Sequence, residues 1–407
     1  MRFFMCRVLR ISVITILIAN SVVIAADWPN WRGPNYDGKS AEKGFIKTWV
    51  EAPKVLWEHP IGSGFSSFTA VGGKVYTCGT KDKQQVLFCF DADTGRVVWE
   101  KAFEKELKDR QGGDGTRGTP TVHQGRVYQL GGHGTLACLN ADNGEEIWKK
   151  KLGKKPRWGY SGSVLIEKQL AIIPDNGKDG ALLALDKKTG DMVWECANDK
   201  IGYSTPYPFT FGKKRYIFCF LAKAGIIADA KTGREVCRIP WETAYDVNAS
   251  TPIFHDGYLF LSSGYNTGCA LFKLDNEGDK LSAKEVWRSQ VLMTKFRSCL
   301  LKDGVLYSGD QQGLHCVDFM TGKKLWGKDR MRHSSVVLAD DHLIVLTEKG
   351  RLMIAKARPE EFKPIAEADV LSGRCWTVPM LYEGKLYLRN LKKAICLDLR
   401  PQKVAAR

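Results

Sequence analysis

The sequence predicts an all-β fold: an eight-bladed β-propeller of four-stranded antiparallel blades, closed by an N-terminal strand that pairs with the last blade. Three observations lead there. A motif ending in Trp recurs along the chain, an apolar strand precedes each copy, and an unpaired strand stands at each end of the repeat region. The 407 residues are 44% apolar, with 12 Trp and 40 Gly. Above roughly 300 residues a chain usually splits into domains unless repeats carry it.

The motif reads CFDADTGRVVW at 89–99, CLNADNGEEIW at 138–148, ALDKKTGDMVW at 184–194 and CVDFMTGKKLW at 316–326. A variant at 228–237 ends in Cys237, the copy at 274–287 carries an insertion, and degenerate copies follow at 354–365 and 395–403. An apolar strand ends at Asp or Asn, whose side chain can hold backbone N–H groups in the turn. Gly95, Gly144, Gly190 and Gly322 supply positive φ. A second strand then starts, with Trp four residues after the Gly. An aromatic ring recurring in register predicts packing between units.

The preceding strand opens at Gly73, Gly125, Gly257, Gly304 and Gly384, and 168–172, 213–217 and 341–344 fill the other three slots. Small polar runs lie just upstream, at Ser66 and Ser67, Thr119, Ser204 and Thr205, and Ser250 and Thr251. Four short strands in roughly 37–50 residues make one blade. The last third strand, 394–399, lacks an outer partner, and the strand around Trp57 lacks a blade. Joining them closes the ring and removes an exposed edge.

Residues 1–26 read as a signal peptide: Arg2, Arg7 and Arg10, an apolar run at 11–18, then Ala25 and Ala26. An N-terminal extended segment follows at 27–52, the propeller at 53–400 and a tail at 401–407. The cysteine after Cys6 is Cys78, so no lipoprotein cysteine stands at the cleavage point. The expected location is periplasmic, or secreted to the cell surface, with no transmembrane segment after cleavage. Losing residues 1–26 removes three Arg and no acid, so the formal charge falls from +16 to +13. That surface favours anionic partners, an envelope protein or an anionic polymer such as a polysaccharide. Nucleic acid is not expected, because the chain is read as exported and shows no dense Lys/Arg block. A monomer is expected.

Cys89, Cys138, Cys316 and Cys396 occupy the motif slot that Ala184 also fills, which suits a small buried side chain. Free thiols are therefore expected there, and a disulfide at Cys299 or Cys375 stays open. No CxxC pair or CxxCH haem site occurs. The stretch 175–180 faintly resembles a calcium loop but lacks the terminal Glu, and reads as a hairpin loop. His123 and His255 sit in matching turns. No Gly-rich phosphate loop, nucleophile elbow or His-rich zinc signature appears.

The repeat A/C-x-D-x-x-T-G-x-x-x-W resembles the PQQ-like (pyrroloquinoline quinone) repeat over roughly residues 53–400. That family includes quinoprotein dehydrogenases and BamB-type scaffolds of outer-membrane protein assembly. The stretch 27–38, DWPNWRGPNYDG, is similar to the start of exported PQQ-binding-like propellers, many of them in planctomycete-type bacteria. WD40 propellers are the nearest confusable repeat, but their Trp-Asp ending is absent. Kinship with the dehydrogenases would imply PQQ and Ca²⁺, an adjacent cysteine pair, a Glu/Asn/Asp calcium set and an Asp base on long insertions. Here no cysteines are adjacent, the insertions at 101–116 and 275–285 are short, and no catalytic residue carries over. No cofactor and no catalytic residue are expected outside that alternative.

In a propeller, the loops leading into the innermost strands converge on the channel mouth. Those loops carry Arg117, Tyr160, Tyr203, Asp246, Asn248, Arg297, Arg332, His333, Arg374 and Trp376. Arginine holds carboxylate or phosphate bidentately, and the aromatics offer stacking faces. The expected function is a non-catalytic exported scaffold that engages an envelope protein or anionic ligand through this mouth. The alternatives are a PQQ-dependent alcohol or sugar dehydrogenase and a carbohydrate-binding exported propeller.

Overall fold

Each blade is an antiparallel meander whose middle strands are buried on both faces and whose outer strand is partly exposed, and eight such sheets make up the computed structural model. It describes residues 27–177, 181–278 and 280–401. The expected signal peptide, Cys6, the end of the 175–180 loop and residues 402–407 lie outside the described residues. Blade 1 runs Thr69–Val71, Lys74–Lys81, Gln84–Asp91, Val97–Lys105 from channel to rim. Blade 8 holds Met380–Tyr382, Lys385–Arg389 and Lys393–Asp398, and takes its outer strand from Val55–Pro60, with Trp57 opposite Cys396. The ring closes as the unpaired end strands require. Among the described residues no helix is long and apolar enough to cross a membrane.

The repeated motif is the joint between blades. Asp91 Oδ1 accepts the N–H groups of Asp93 and Thr94 (3.2 and 2.9 Å), and Asp186 and Asp229 act alike. The turn so held presents one carbonyl to the preceding blade. Ala141 O accepts both the Trp99 indole N–H and the Tyr76 hydroxyl, each at 3.1 Å. Lys187 O accepts Trp148 and Tyr128, and Ala92 O accepts Trp57 and Tyr387 across the closure. The indole lies against the turn glycine. A Cβ on Gly95 would stand 2.4 Å from Trp57 Cγ, and one on Gly144 2.7 Å from Trp99 Cε3. The slot opposite the Trp is Cys or Ala in five blades (Cys89, Cys138, Ala184, Cys316, Cys396). The eleven described cysteines are all free thiols, and only Cys237 is less than buried.

The small polar runs line the channel. Ser67 N–H donates to Thr119 Oγ1, Thr119 N–H to Ser163 Oγ, Ser163 N–H to Thr205 Oγ1, and Thr251 N–H to Ser298 Oγ, each at 2.9 Å. The start of the chain fills the channel below them. Trp28 forms an antiparallel bridge with Ala70, Pro29 O accepts the Val122 N–H, and Lys39–Ser40 pairs in parallel with Leu338 and Ala339. Arg32, only 3% exposed, donates to the carbonyls of Tyr36, Asp37 and Cys299. Trp31 Nε1 donates to Thr251 Oγ1 at 3.1 Å. Trp28 and Trp31 therefore belong to an internal plug touching blades 1, 2, 5, 6 and 7.

If the indole seat is the joint, Gly95→Ala and Gly125→Ala should differ. Both glycines have positive φ (69° and 72°), but a Cβ at Gly125 meets nothing within 4 Å. We predict that Gly125→Ala costs about 1 kcal/mol from backbone strain, and that Gly95→Ala costs a further ~1–3 kcal/mol from overpacking on Trp57. Urea unfolding reads the difference, and matching losses would contradict the seat.

Candidate functional site

The loops that carry the chain from the rim of one blade to the innermost strand of the next end in a cavity of about 500 Å³ over the plug. Trp31 contributes to its wall from the plug and Tyr265 from a hairpin turn of blade 5, and the rest comes from the loops. Phe65, Trp158, Tyr203, Tyr245, Tyr265, Phe296 and Trp376 supply aromatic faces; Arg117, Arg157, Lys295 and Arg297 supply cations; Asp109 is the one acid of the lining.

Asp109 is fully used. Its Oδ1 accepts the N–H groups of Gln111 and Gly112, each at 3.0 Å, and its Oδ2 accepts Arg117 Nη2 at 2.6 Å. Glycine at 112 is required here, because a Cβ would stand 2.4 Å from Asp109 Oδ2. Arg297 is 3% exposed. It donates through Nε and Nη2 to His333 O (3.0 and 2.6 Å) and through Nη1 to Trp376 O, so it clips two mouth loops together. Burial pushes its pKa down to about 9, against the raising influence of Glu348. No ion pair involves Arg157, Lys295, Arg297 or Arg374 among the described residues. They stand over rings instead: Arg157 4.7 Å from Trp158, Lys295 4.7 Å from Tyr265, Arg297 5.1 Å from Phe296 and Arg374 4.4 Å from Trp376. Arg117 Nη1, Trp158 Nε1 and His333 Nδ1 are buried without a hydrogen-bond partner.

Of the ten residues expected at the mouth, Arg117, Tyr203, Arg297 and Trp376 line the cavity. His333 stacks on Phe296 (5.2 Å) and Arg374 lies over Trp376. The other four are elsewhere. Tyr160 is 1% exposed and donates to Asp175 at 2.9 Å, between blades. Asn248 is fully buried and ties the carbonyls of Leu221, Ala222 and Trp241 together. Asp246 lies in a short 3-10 turn beside the lining residues Tyr245 and Val247, outside the cavity wall. Arg332 is exposed and outside it. Phe65, Arg157, Trp158, Tyr245, Tyr265, Lys295 and Phe296 were missed, although all but Tyr265, which lies in the hairpin turn between the second and third strands of blade 5, sit in the same loops. Phe296 and Trp158 carried a usable signal, an aromatic next to an arginine. The run 149–157 was also passed over: six of its nine residues are basic and none is acidic, so a dense basic block does exist.

Residues 47–263 match the family model described as outer membrane protein assembly factor BamB. Over 362 residues the chain is 23% identical to the outer membrane protein assembly factor BamB of Burkholderia pseudomallei, covering 82% of this chain and 86% of that protein. The crystal structure of BamB from Moraxella catarrhalis superposes with a TM-score of 0.64 at 15% identity, covering 87% and 99% of the two chains. Quinohemoprotein alcohol dehydrogenase from Comamonas testosteroni gives 0.65 at 12% identity, covering 94% and 82%. At such identities the structural likeness concerns the fold alone. The cavity residues do not fit a calcium–quinone pair. Ca²⁺ takes six to eight oxygen ligands, whereas the one lining carboxylate is spent on Arg117. Among the described residues no three His, Cys, Asp or Glu side chains gather to hold a metal.

The mouth titrates at His333, whose imidazole is held below its ordinary 6.5 by burial and then by Arg297. The unfolded chain binds that proton more readily than the fold. The ring's stabilising contribution is therefore intact above pH 6.5 and lost as pH falls through the depressed value. Asn tolerates the same left-handed backbone (φ 51°) without titrating. Between pH 7.5 and 5.5 the wild type should lose more stability than His333→Asn in urea unfolding; equal losses would refute the assignment.

Proposed function

Since the chain belongs to the family of outer membrane protein assembly factor BamB, we propose that it is a non-catalytic, exported binding scaffold of the cell envelope whose channel mouth holds a partner presenting acidic groups. The observation that carries this reading is Arg297, a guanidinium removed from water whose N–H groups meet only backbone carbonyls, with Glu348 acting on it from beyond ion-pair contact. Burying a cation unpaired is costly, and an anion entering the mouth would offset that cost. Arg157, Lys295 and Arg374 add charge at the same opening, and the aromatic walls add the apolar contact area that a binding surface needs. The plug and the closed ring keep these groups fixed, which lowers the entropy lost on binding.

A photo-crosslinking residue in place of Tyr245, which is 59% exposed beside the mouth, tests this in intact cells. We expect a discrete crosslinked partner, and a drop of about tenfold in its yield with Arg157→Glu/Arg374→Glu, since opposed rim charges slow encounter and weaken binding. A yield unchanged by the reversal would refute the anionic reading. Dye-linked alcohol oxidation on adding PQQ and Ca²⁺ would refute the non-catalytic one.

A further inference from the structure

We infer that the mouth takes an acidic polysaccharide, a chain of sugar rings bearing carboxylates. This rests on the reading of the mouth as an anion site and names its occupant. Charge and plane come together in the wall: Trp158 with Arg157, Tyr265 with Lys295, Phe296 with Arg297, Trp376 with Arg374. A uronic sugar matches that pairing unit by unit. Its ring gives an apolar C–H face to an aromatic, and its carboxylate projects from the ring edge towards the adjacent cation. An acidic peptide puts its carboxylates on flexible stems and has no comparable plane.

A peptide also lacks its usual handhold. Extended peptides bind by adding a strand to a free sheet edge. At the channel, the innermost edges of three of the eight blades are occupied by the N-terminal segment: Ala70 by Trp28, Val122 by Pro29, and Leu338 and Ala339 by Lys39–Ser40. The unpartnered Arg117 Nη1, Trp158 Nε1 and His333 Nδ1 are groups that hydroxyls can satisfy with small side-chain shifts.

The basic run 149–157 points to a polymer over a single anion. It starts on the blade 2 outer strand Glu146–Lys151, crosses Lys154 and Lys155 and ends at Arg157, beside Trp158 in the cavity wall. Lys149 and Lys151 are ion-paired with Glu146 and Glu104; repeated carboxylates along a chain would meet the other cations of the run, Lys150, Lys154, Lys155 and Arg157, an interaction that salt screens.

The purified protein is titrated with an oligogalacturonate, a neutral glucan of equal length and a poly-glutamate of equal charge, read by calorimetry and tryptophan fluorescence. We expect the oligogalacturonate to bind about tenfold more tightly than poly-glutamate, the difference that ring stacking can supply, and the glucan not to bind. Trp376→Ala should weaken the oligogalacturonate about tenfold and leave poly-glutamate unchanged. Arg374→Ala, an exposed change that does not threaten folding, should weaken both acidic probes. Lys154→Ala/Lys155→Ala should weaken a long galacturonate more than a trimer. Poly-glutamate binding as tightly as the sugar, with Trp376→Ala indifferent, would overturn the polysaccharide and leave the anionic mouth standing. Failure of both acidic probes to bind would overturn the two together.

Discussion

A backbone carbonyl that takes a tryptophan of the preceding blade, present at five of the eight junctions, organises this protein. At Ala92, Ala141 and Lys187 it receives two donors from the preceding blade, an indole N–H from the outer strand and a tyrosine hydroxyl from the second strand. Both donors would be costly to bury unpaired. The Asp side chain shapes the turn, the Gly clears the seat, and the carbonyl satisfies two rings at once. That division of labour explains why Asp, Gly and Trp recur together, and why the strand before each motif so often carries Tyr (Tyr76, Tyr128, Tyr307, Tyr387). Because the last such joint, Trp57 on Ala92, spans the two ends of the ring, the same interaction that packs neighbours also closes the circle.

Three junctions depart from the rule: the Trp194 indole N–H of blade 3 is buried with no hydrogen-bond partner, and blades 4 and 7 lack the motif Trp. In blade 4 the register position opposite Ile227 is Cys237. Trp241, just past that strand, packs instead between Phe220 and Phe272, under Arg288 at 4.8 Å, with its N–H on Ser263. In blade 7 the position opposite Ile354 is Ala366, and Trp49 from the N-terminal segment donates to the adjacent Glu367 carbonyl at 3.1 Å. An indole near each junction is retained even where the motif has lost it, supplied from a different point of the chain.

The fold was legible because the repeat multiplies a weak local signal: eight second strands and eight third strands cannot all be accidental, and the end strands had one arrangement that paired them. The mouth was only partly legible. Loop position told which residues could reach the channel, and Arg297 and Trp376 were found on that ground. It did not tell which way a side chain turns. Tyr160 and Asn248 share the loops of the lining residues, but their polar groups satisfy buried partners between blades, and nothing in local sequence distinguishes that from facing the cavity. The plug was illegible for a related reason. Trp31 and Arg32 find partners as far away in sequence as Thr251 and Cys299, and they belong to no repeat that could announce them.

The plug and the mouth are one problem in energetics. A propeller of eight blades leaves a central opening, and an opening lined by Ser and Thr would fill with water. Filling its lower part with the N-terminal segment removes that water and spends the inner strand edges of blades 1, 2 and 7 on internal pairing. What remains above is a chamber walled by aromatic and cationic side chains. Recognition there must then work through charge and ring faces. Arg297 shows the consequence most plainly: its N–H groups hold the loops of His333 and Trp376 in place, so the group that fixes the chamber's shape is also a source of its positive field. Shape and charge at the mouth cannot be changed independently.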